Sequence, residues 1–134
     1  DCVIESQRGH DLGRCIYFGS AAPNTGIPGE VGGYSSERVI KSPSDGIYRE
    51  ICHIGDYVNK DDIIAYADDV PVRATISGIL RGQLRGGLRV HSGMKVADID
   101  PRAEKSHCFS ISDKARSIGG SALEAILKLG REKF

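Results

Sequence analysis

Tryptophan is absent from this chain and methionine occurs once, while glycine reaches 17 of 134 residues. Such a composition favours turns and short strands over long helices. Neither sign of charge dominates, since 18 Lys and Arg stand against 18 Asp and Glu. A global basic field of the kind that announces nucleic acid or a membrane surface is therefore missing. No apolar run approaches the roughly 20 residues needed to span a bilayer, and no charged-then-apolar leader opens the chain. The expectation is a soluble, cytoplasmic protein with no membrane partner. Cys2, Cys15, Cys52 and Cys108 lie far apart, without a CxxC pair or a short-loop framework, which points to reduced thiols over disulfides.

What the chain does contain is a duplication. Ser42 to Ala67 returns in Ala74 to Ile99 at an offset of 32 residues. The shift lays Gly46 on Gly78, Ile47 on Ile79, Arg49 on Arg81, Gly55 on Gly87, Val58 on Val90, Ile64 on Val96 and Ala65 on Ala97. Each copy reads as a strand (Ile47 to Cys52; Ile79 to Leu84), a turn, an extended piece at Val58 or Val90, and a second strand (Asp62 to Ala67; Met94 to Ile99). Neither copy is large enough to bury its own apolar face, so the two should share one core.

Before the repeat, Val3 to Ser6 and Arg14 to Phe18 read as a short hairpin around the polar loop Arg8 to Gly13. Gly19 to Gly33 carries too much glycine and proline for regular structure, and Glu37 to Lys41 leads into the first repeat. Asp68-Asp69 marks a hairpin tip, and Pro71 argues for an edge position in the strand that follows. After Asp100-Pro101, Cys108 to Ile111 reads as one more strand. A helix capped at Ser112 or Asp113 should run towards Leu129, with Ile118, Ala122, Ala125 and Leu129 on one stripe. Gly119-Gly120 leaves open whether that helix is continuous or restarts.

The expected fold is thus mainly β (α+β): a barrel-sandwich hybrid from the two repeats, with an N-terminal β hairpin and a C-terminal helix. We expect one compact domain with residues 1–41 as hairpin and loop, 42–100 as the duplicated core and 101–134 as strand and helix. Asp1-Cys2-Val3-Ile4 reads like the interior of a folded segment, so the chain is expected to be a piece of a longer protein.

Pro43, Gly46 and Gly55-Asp56-x-Val58, with a second half approached through ATISG, resemble the biotinyl/lipoyl-like domain. Carrier members of that group attach their cofactor to a lysine at the tip of the central hairpin. The matching position here is close to Ala67, flanked by Tyr66, Asp68 and Asp69. An amide linkage requires a primary amine, so no covalently attached cofactor is expected. With RGHDLGRCIYFGSAAPNTGIPGEVGGYSSERV, SPSDGIY, IGDYV and CFSISDKARSIGGSALEAIL added, nearly the whole chain is similar to the C-terminal half of the selenium-dependent molybdenum hydroxylase maturation protein family. That resemblance implies an accessory role in making such hydroxylases active. It also implies an N-terminal Rossmann-like half of the same protein as partner, and a molybdenum hydroxylase as a further one.

The sequence offers three candidate sites. The loop residues Arg8, His10 and Arg14, with Asn24, Thr25 and Gly26, supply cationic donors, an amide, a hydroxyl and free backbone to an anionic or polar ligand; alternatively the first loop pairs with itself. Residues Arg73 to Ala97 hold five basic residues and no acid, where Pro43 to Asp69 holds seven acids against two bases. That basic half fits an anionic partner or a nucleotide or pterin-type ligand. It contains no aromatic residue, so nucleic acid is not expected. A selenium- or sulfur-handling cysteine would make the protein an enzyme, against the blander reading of thiols buried in a β core. Cys52-His53 and His107-Cys108 are neighbours on expected strands, so each pair points to opposite faces and no metal site is expected. These readings favour a non-catalytic ligand-binding or assembly module. The alternatives are an enzyme centred at the border with the Rossmann-like half, and a partner-docking or dimerisation module.

Overall fold

The structure is a computed structural model, which describes residues 1–131. The chain folds mainly into β structure, with ten short strands and one α-helix among the described residues. Contacts divide it into two compact units: Asp1–Gly29 with the residues from Ile111 onward, and Glu30–Ser110. The expected segment boundaries at 41/42 and 100/101 fall inside the second unit, and the last three residues of the expected 101–134 segment lie outside the described residues.

The second unit holds the duplication. Strands β3 (Val39–Lys41), β4 (Gly46–Glu50), β5 (Tyr57–Val58) and β6 (Ile63–Ala67) are followed by β7 (Val70–Arg73), β8 (Gly78–Gln83), β9 (Arg89–Val90) and β10 (Lys95–Asp100). One sheet runs β3-β10-β8-β5 and the other β7-β6-β4-β9. The 32-residue shift turns the first order into the second, strand for strand, so each sheet mixes strands of both copies. The hydrogen bonds repeat as well. Gly55 N donates to Leu80 O and Gly87 N to Tyr48 O, both at 2.8 Å. Ser42 N donates to Met94 O at 2.8 Å and Ala74 N to Asp62 O at 2.9 Å. Between the sheets lie Tyr48, Ile64, Leu80 and Ile99, all fully buried, with Val58, Val72, Val90 and Val96. β7 is an edge strand, which accommodates Pro71. The copies start alike because Gly46 and Gly78 share a positive φ of 153° and 155°. A Cβ at Gly78 would collide with the Asp100 carbonyl.

In the first unit, β1 (Val3–Ile4) pairs antiparallel with β2 (Cys15–Ile16), and α1 (Asp113–Gly130) packs on the hairpin. Ser112 caps α1 by accepting from Ala115 N at 3.1 Å. The helix continues unbroken through Gly119-Gly120, resolving the alternative left open by the sequence. Its inner stripe holds Ala125 and Ser121, whose hydroxyl donates to the Gly13 carbonyl. Leu123, Ile126 and Leu127 are exposed. No helix among the described residues is long and apolar enough to cross a membrane.

The strand expected at Cys108 to Ile111 is corrected. Lys105–Cys108 forms a 3-10 turn instead, capped by Glu104 accepting from Ser106 N at 3.1 Å, and Phe109 and Ile111 are exposed. The alternation of Phe109 and Ile111 resembles a strand, but a local cap engages the backbone here and no strand pairs with this segment among the described residues.

Candidate functional site

β8 is the strand around which the polar surface of the second unit gathers. Two clefts adjoin along it and share Gln83 and Leu84, one of about 320 Å³ and one of about 430 Å³. The first lies where corresponding strand ends of the two copies meet. Cys52 and His53 line it together with Leu84 and Arg85, their equivalents 32 residues on. Glu50 and Gln83 complete its polar lining, Gln83 Nε2 donating to Tyr48 Oη at 3.1 Å. Glu50 Oε2 is buried, accepts no hydrogen bond among the described residues, and packs where a side chain at Gly86 would stand. The second cleft is bordered by Arg81, Lys95 and Asp98. The side chains of Arg85 and Lys95 are exposed and enter no hydrogen bond or ion pair among the described residues. Three of the five basic residues of 73–97, Arg81, Arg85 and Lys95, thus border these two clefts, beside an unpartnered carboxylate oxygen. This donor set can hold an anionic group at the guanidinium and a donor edge at Glu50.

Arg81 also reaches a buried charge lock that the sequence did not reveal. The Asp100 side chain is 1% exposed. Its Oδ2 accepts from Arg102 Nη2 at 2.6 Å and Arg81 Nη1 at 3.4 Å, and its Oδ1 from Arg102 Nε at 2.9 Å. His107 Nδ1 lies 3.7 Å from Oδ2. The hydrogen bonds from Arg102, only partly offset by burial, pull the Asp100 carboxyl down to about 2. One signal for this lock lay in the repeat, since the 32-residue shift places Asp68 on Asp100. Asp68 sits at the same corner, exposed, accepting from Ile47 N at 2.7 Å.

The loop residues picked from the sequence all lie in the first unit. Arg8 forms a forked pair with Asp113 at 2.6 and 2.9 Å. Arg14 pairs with Asp11 at 2.7 Å, so the first loop does partly pair with itself. His10 is exposed. Asn24 Oδ1 accepts from Gly26 N at 3.0 Å and Thr25 Oγ1 from Ile27 N at 3.2 Å, which makes Asn24, Thr25 and Gly26 one tight turn. Glu5, which sequence reasoning passed over, ties the two loops down. Its Oε2 accepts from Ala22 N at 2.7 Å and its Oε1 from Gln7 N at 2.8 Å, and these bonds lower its pKa. A lone acid directly after two apolar strand residues was the available signal.

Each of the four thiols donates to a backbone carbonyl: Cys2 to Val3, Cys15 to Ser121, Cys52 to Ile63 and Cys108 to Leu80. Burial pushes the Cys15 and Cys52 thiols up, which disfavours the thiolate that nucleophilic chemistry needs. Among the described residues, no three His, Cys, Asp or Glu side chains converge as metal ligands do. At the hairpin tip Ala67 is buried and pairs with Val70, leaving Asp68 and Asp69 as the exposed residues.

No family model matches the chain. It is similar to an uncharacterized protein, YqeB, of Escherichia coli strain K12, at 47% identity over 131 residues, 96% of this chain and 24% of that protein. The chain therefore spans about a quarter of the length of this curated relative. Among solved structures, partial similarity is found to the product-bound ectoine utilization protein EutE (DoeB) from Ruegeria pomeroyi. It covers 47% of this chain and 22% of that one, at 25% identity and a TM-score of 0.41. An aspartoacylase family protein from Mesorhizobium loti matches 52% of this chain and 24% of its own, at 24% identity and a TM-score of 0.44.

Proposed function

We propose that this chain is a non-catalytic ligand-binding or assembly module of a cytoplasmic accessory protein that matures selenium-dependent molybdenum hydroxylases. The observation that carries the binding role is the cleft pair along β8, with the side chains of Arg85 and Lys95 unpaired among the described residues and a buried Glu50 oxygen without a partner. The separated motifs quoted from the sequence support the maturation assignment. The fitting ligand class is a nucleotide or pterin phosphate, its anion at Arg85 and its ring N–H edge at Glu50. Cys52 lines the same cleft with its thiol kept protonated, which favours holding a ligand over attacking one.

Calorimetric titration with guanosine monophosphate is the direct test, with inorganic phosphate as a control. Arg85→Ala should weaken binding by about 10-fold or more, as the loss of one charge-assisted hydrogen bond predicts. Unchanged affinity in Arg85→Ala and Lys95→Ala would remove the cleft from the proposal. Native mass spectrometry of the full-length protein, with capture of the hydroxylase, tests the assembly role. Turnover of the bound ligand would instead favour an enzyme.

A further inference from the structure

On the sheet β3-β10-β8-β5, three cations come side by side at one end of neighbouring strands. Lys95 of β10 is the register partner of Lys41 of β3. On the other side of β10, Ala97 stands opposite Gln83 and Leu84 N donates to Val96 O at 2.8 Å, so the next residues along the two chains are Arg85 and Lys95. The residues flanking these cations, Ile40, Leu84, Met94 and Val96, belong to the core or pack against it, and Lys41, Arg85 and Lys95 are exposed. Among the described residues none of the three enters a hydrogen bond, an ion pair or a ring contact. Facing side chains on such a strand pair stand about 5 Å apart at Cβ, where like charges repel. The fold does not require this crowding. The 32-residue shift carries Lys41 onto Arg73 and Lys95 onto Ile63, which are register partners in the other sheet. There a single cation faces an apolar side chain, with Arg73 Nη1 donating to Asp61 O at 2.8 Å. The equivalent of Arg85 is His53.

Resting on the placement of one phosphate at Arg85, we propose that Lys95 and Lys41 hold a second, so that the ligand of the β8 clefts is a nucleoside diphosphate and not a monophosphate. Arg85 lines the first cleft and Lys95 the second, and the two clefts meet at Gln83 and Leu84. A diphosphate crossing that junction lays its charge along the row, from the guanidinium to the two ammonium groups. The guanidinium fork fixes the inner phosphate, while an ammonium is a point charge on a flexible stem that adapts to the outer one. Arg81 is already committed to Asp100 at 3.4 Å, and Asp98, the acid on the border of the second cleft, lies 3.5 Å from Arg38 Nη1. Binding cancels the repulsion within the row. Each added negative charge on the ligand therefore strengthens binding, and does so most at low salt.

The test titrates the full chain at low salt with guanosine monophosphate, guanosine diphosphate and inorganic pyrophosphate. The diphosphate should bind about 10-fold or more tightly than the monophosphate, as a second charge-assisted contact predicts. Lys41 lines neither of these clefts, yet Lys41→Gln should remove most of that preference. Pyrophosphate should raise the Tm of the wild type and not that of the Lys41→Gln/Lys95→Gln double variant, which without ligand should unfold no lower than the wild type. Equal affinity for the two nucleotides, or a preference that survives in Lys41→Gln, overturns the proposal; if the monophosphate still depends on Arg85, the cleft reading then stands alone. Diphosphate and pyrophosphate binding that needs Lys41 and Lys95 but ignores Arg85→Ala would instead remove the cleft reading and leave the row as the anion site. Binding of a polyglutamate peptide with no response to pyrophosphate would assign the row to an acidic protein partner and overturn the proposal.

Discussion

Asp68 and Asp100 occupy equivalent corners of the two copies yet carry different loads. The first accepts one backbone hydrogen bond in the open, while the second is sealed among Arg81, Arg102 and His107. Replacing Asp100 by Asn keeps the shape and removes the charge, so Asp100→Asn should cost about 2–3 kcal/mol in urea unfolding at neutral pH. Asp68→Asn should cost far less. The pH dependence follows from the folded carboxyl being depressed to about 2 from an ordinary 3.8. Its stabilisation is fully present above 3.8 and is lost as the pH falls through about 2. Wild type should therefore lose stability across that window, with a shallower slope in Asp100→Asn; equal slopes would show that the lock contributes nothing. Little of this lock was legible in advance. A carboxylate at a strand end reads as a turn former, and its partners come from β8 and from the segment after β10. The self-pairing of the first loop, Arg14 with Asp11, was legible as an alternative, but the partner of Arg8, Asp113, lies 105 residues away and was not.

Elements followed the sequence where their pattern was strong and departed from it where a local cap competed. Both copies of the strand–turn–strand unit could be read from periodicity and the edge position of Pro71 from its missing N–H. The stripe of α1 was read in part: Ala125 is buried, Ile118, Ala122 and Leu129 are half-buried, and the buried Ser121 was missed. The 3-10 turn at Lys105–Cys108 could not be read, because Phe109 and Ile111 alternate like a strand while Glu104 caps the backbone. Gly119 and Gly120 sit inside α1 with nothing within 4 Å of an added Cβ. Gly119→Ala and Gly120→Ala should each stabilise the protein by about 1 kcal/mol in urea unfolding, from helix propensity alone. A loss of stability would mean that this face is occupied in solution. Gly78→Ala should act in the opposite direction, costing about 1–3 kcal/mol from its φ alone and more from the collision with the Asp100 carbonyl. Gly46→Ala should be milder, since part of what it meets is the movable Asp68 side chain.

In the molecule as a whole the duplication is realised as exchange: each copy contributes strands to both sheets, so neither can form without the other. Amide hydrogen exchange should show this as matched protection within equivalent pairs, Gly55 with Gly87 and Tyr48 with Leu80. Protection in one member alone would mean that the copies fold separately. The sequence by itself determined the repeat, its strand and turn order and the charge split between the halves, because side-chain period and glycine placement act locally along the chain. It also excluded a carrier lysine at the Ala67 hairpin. Only the tertiary structure decided which charges meet. Arg85 and Lys95 came to border adjoining clefts, Asp100 was buried among arginines, and Glu5 pinned two loops. Each of those encounters depends on strand register and on the packing of segments distant in the chain, which no local pattern encodes.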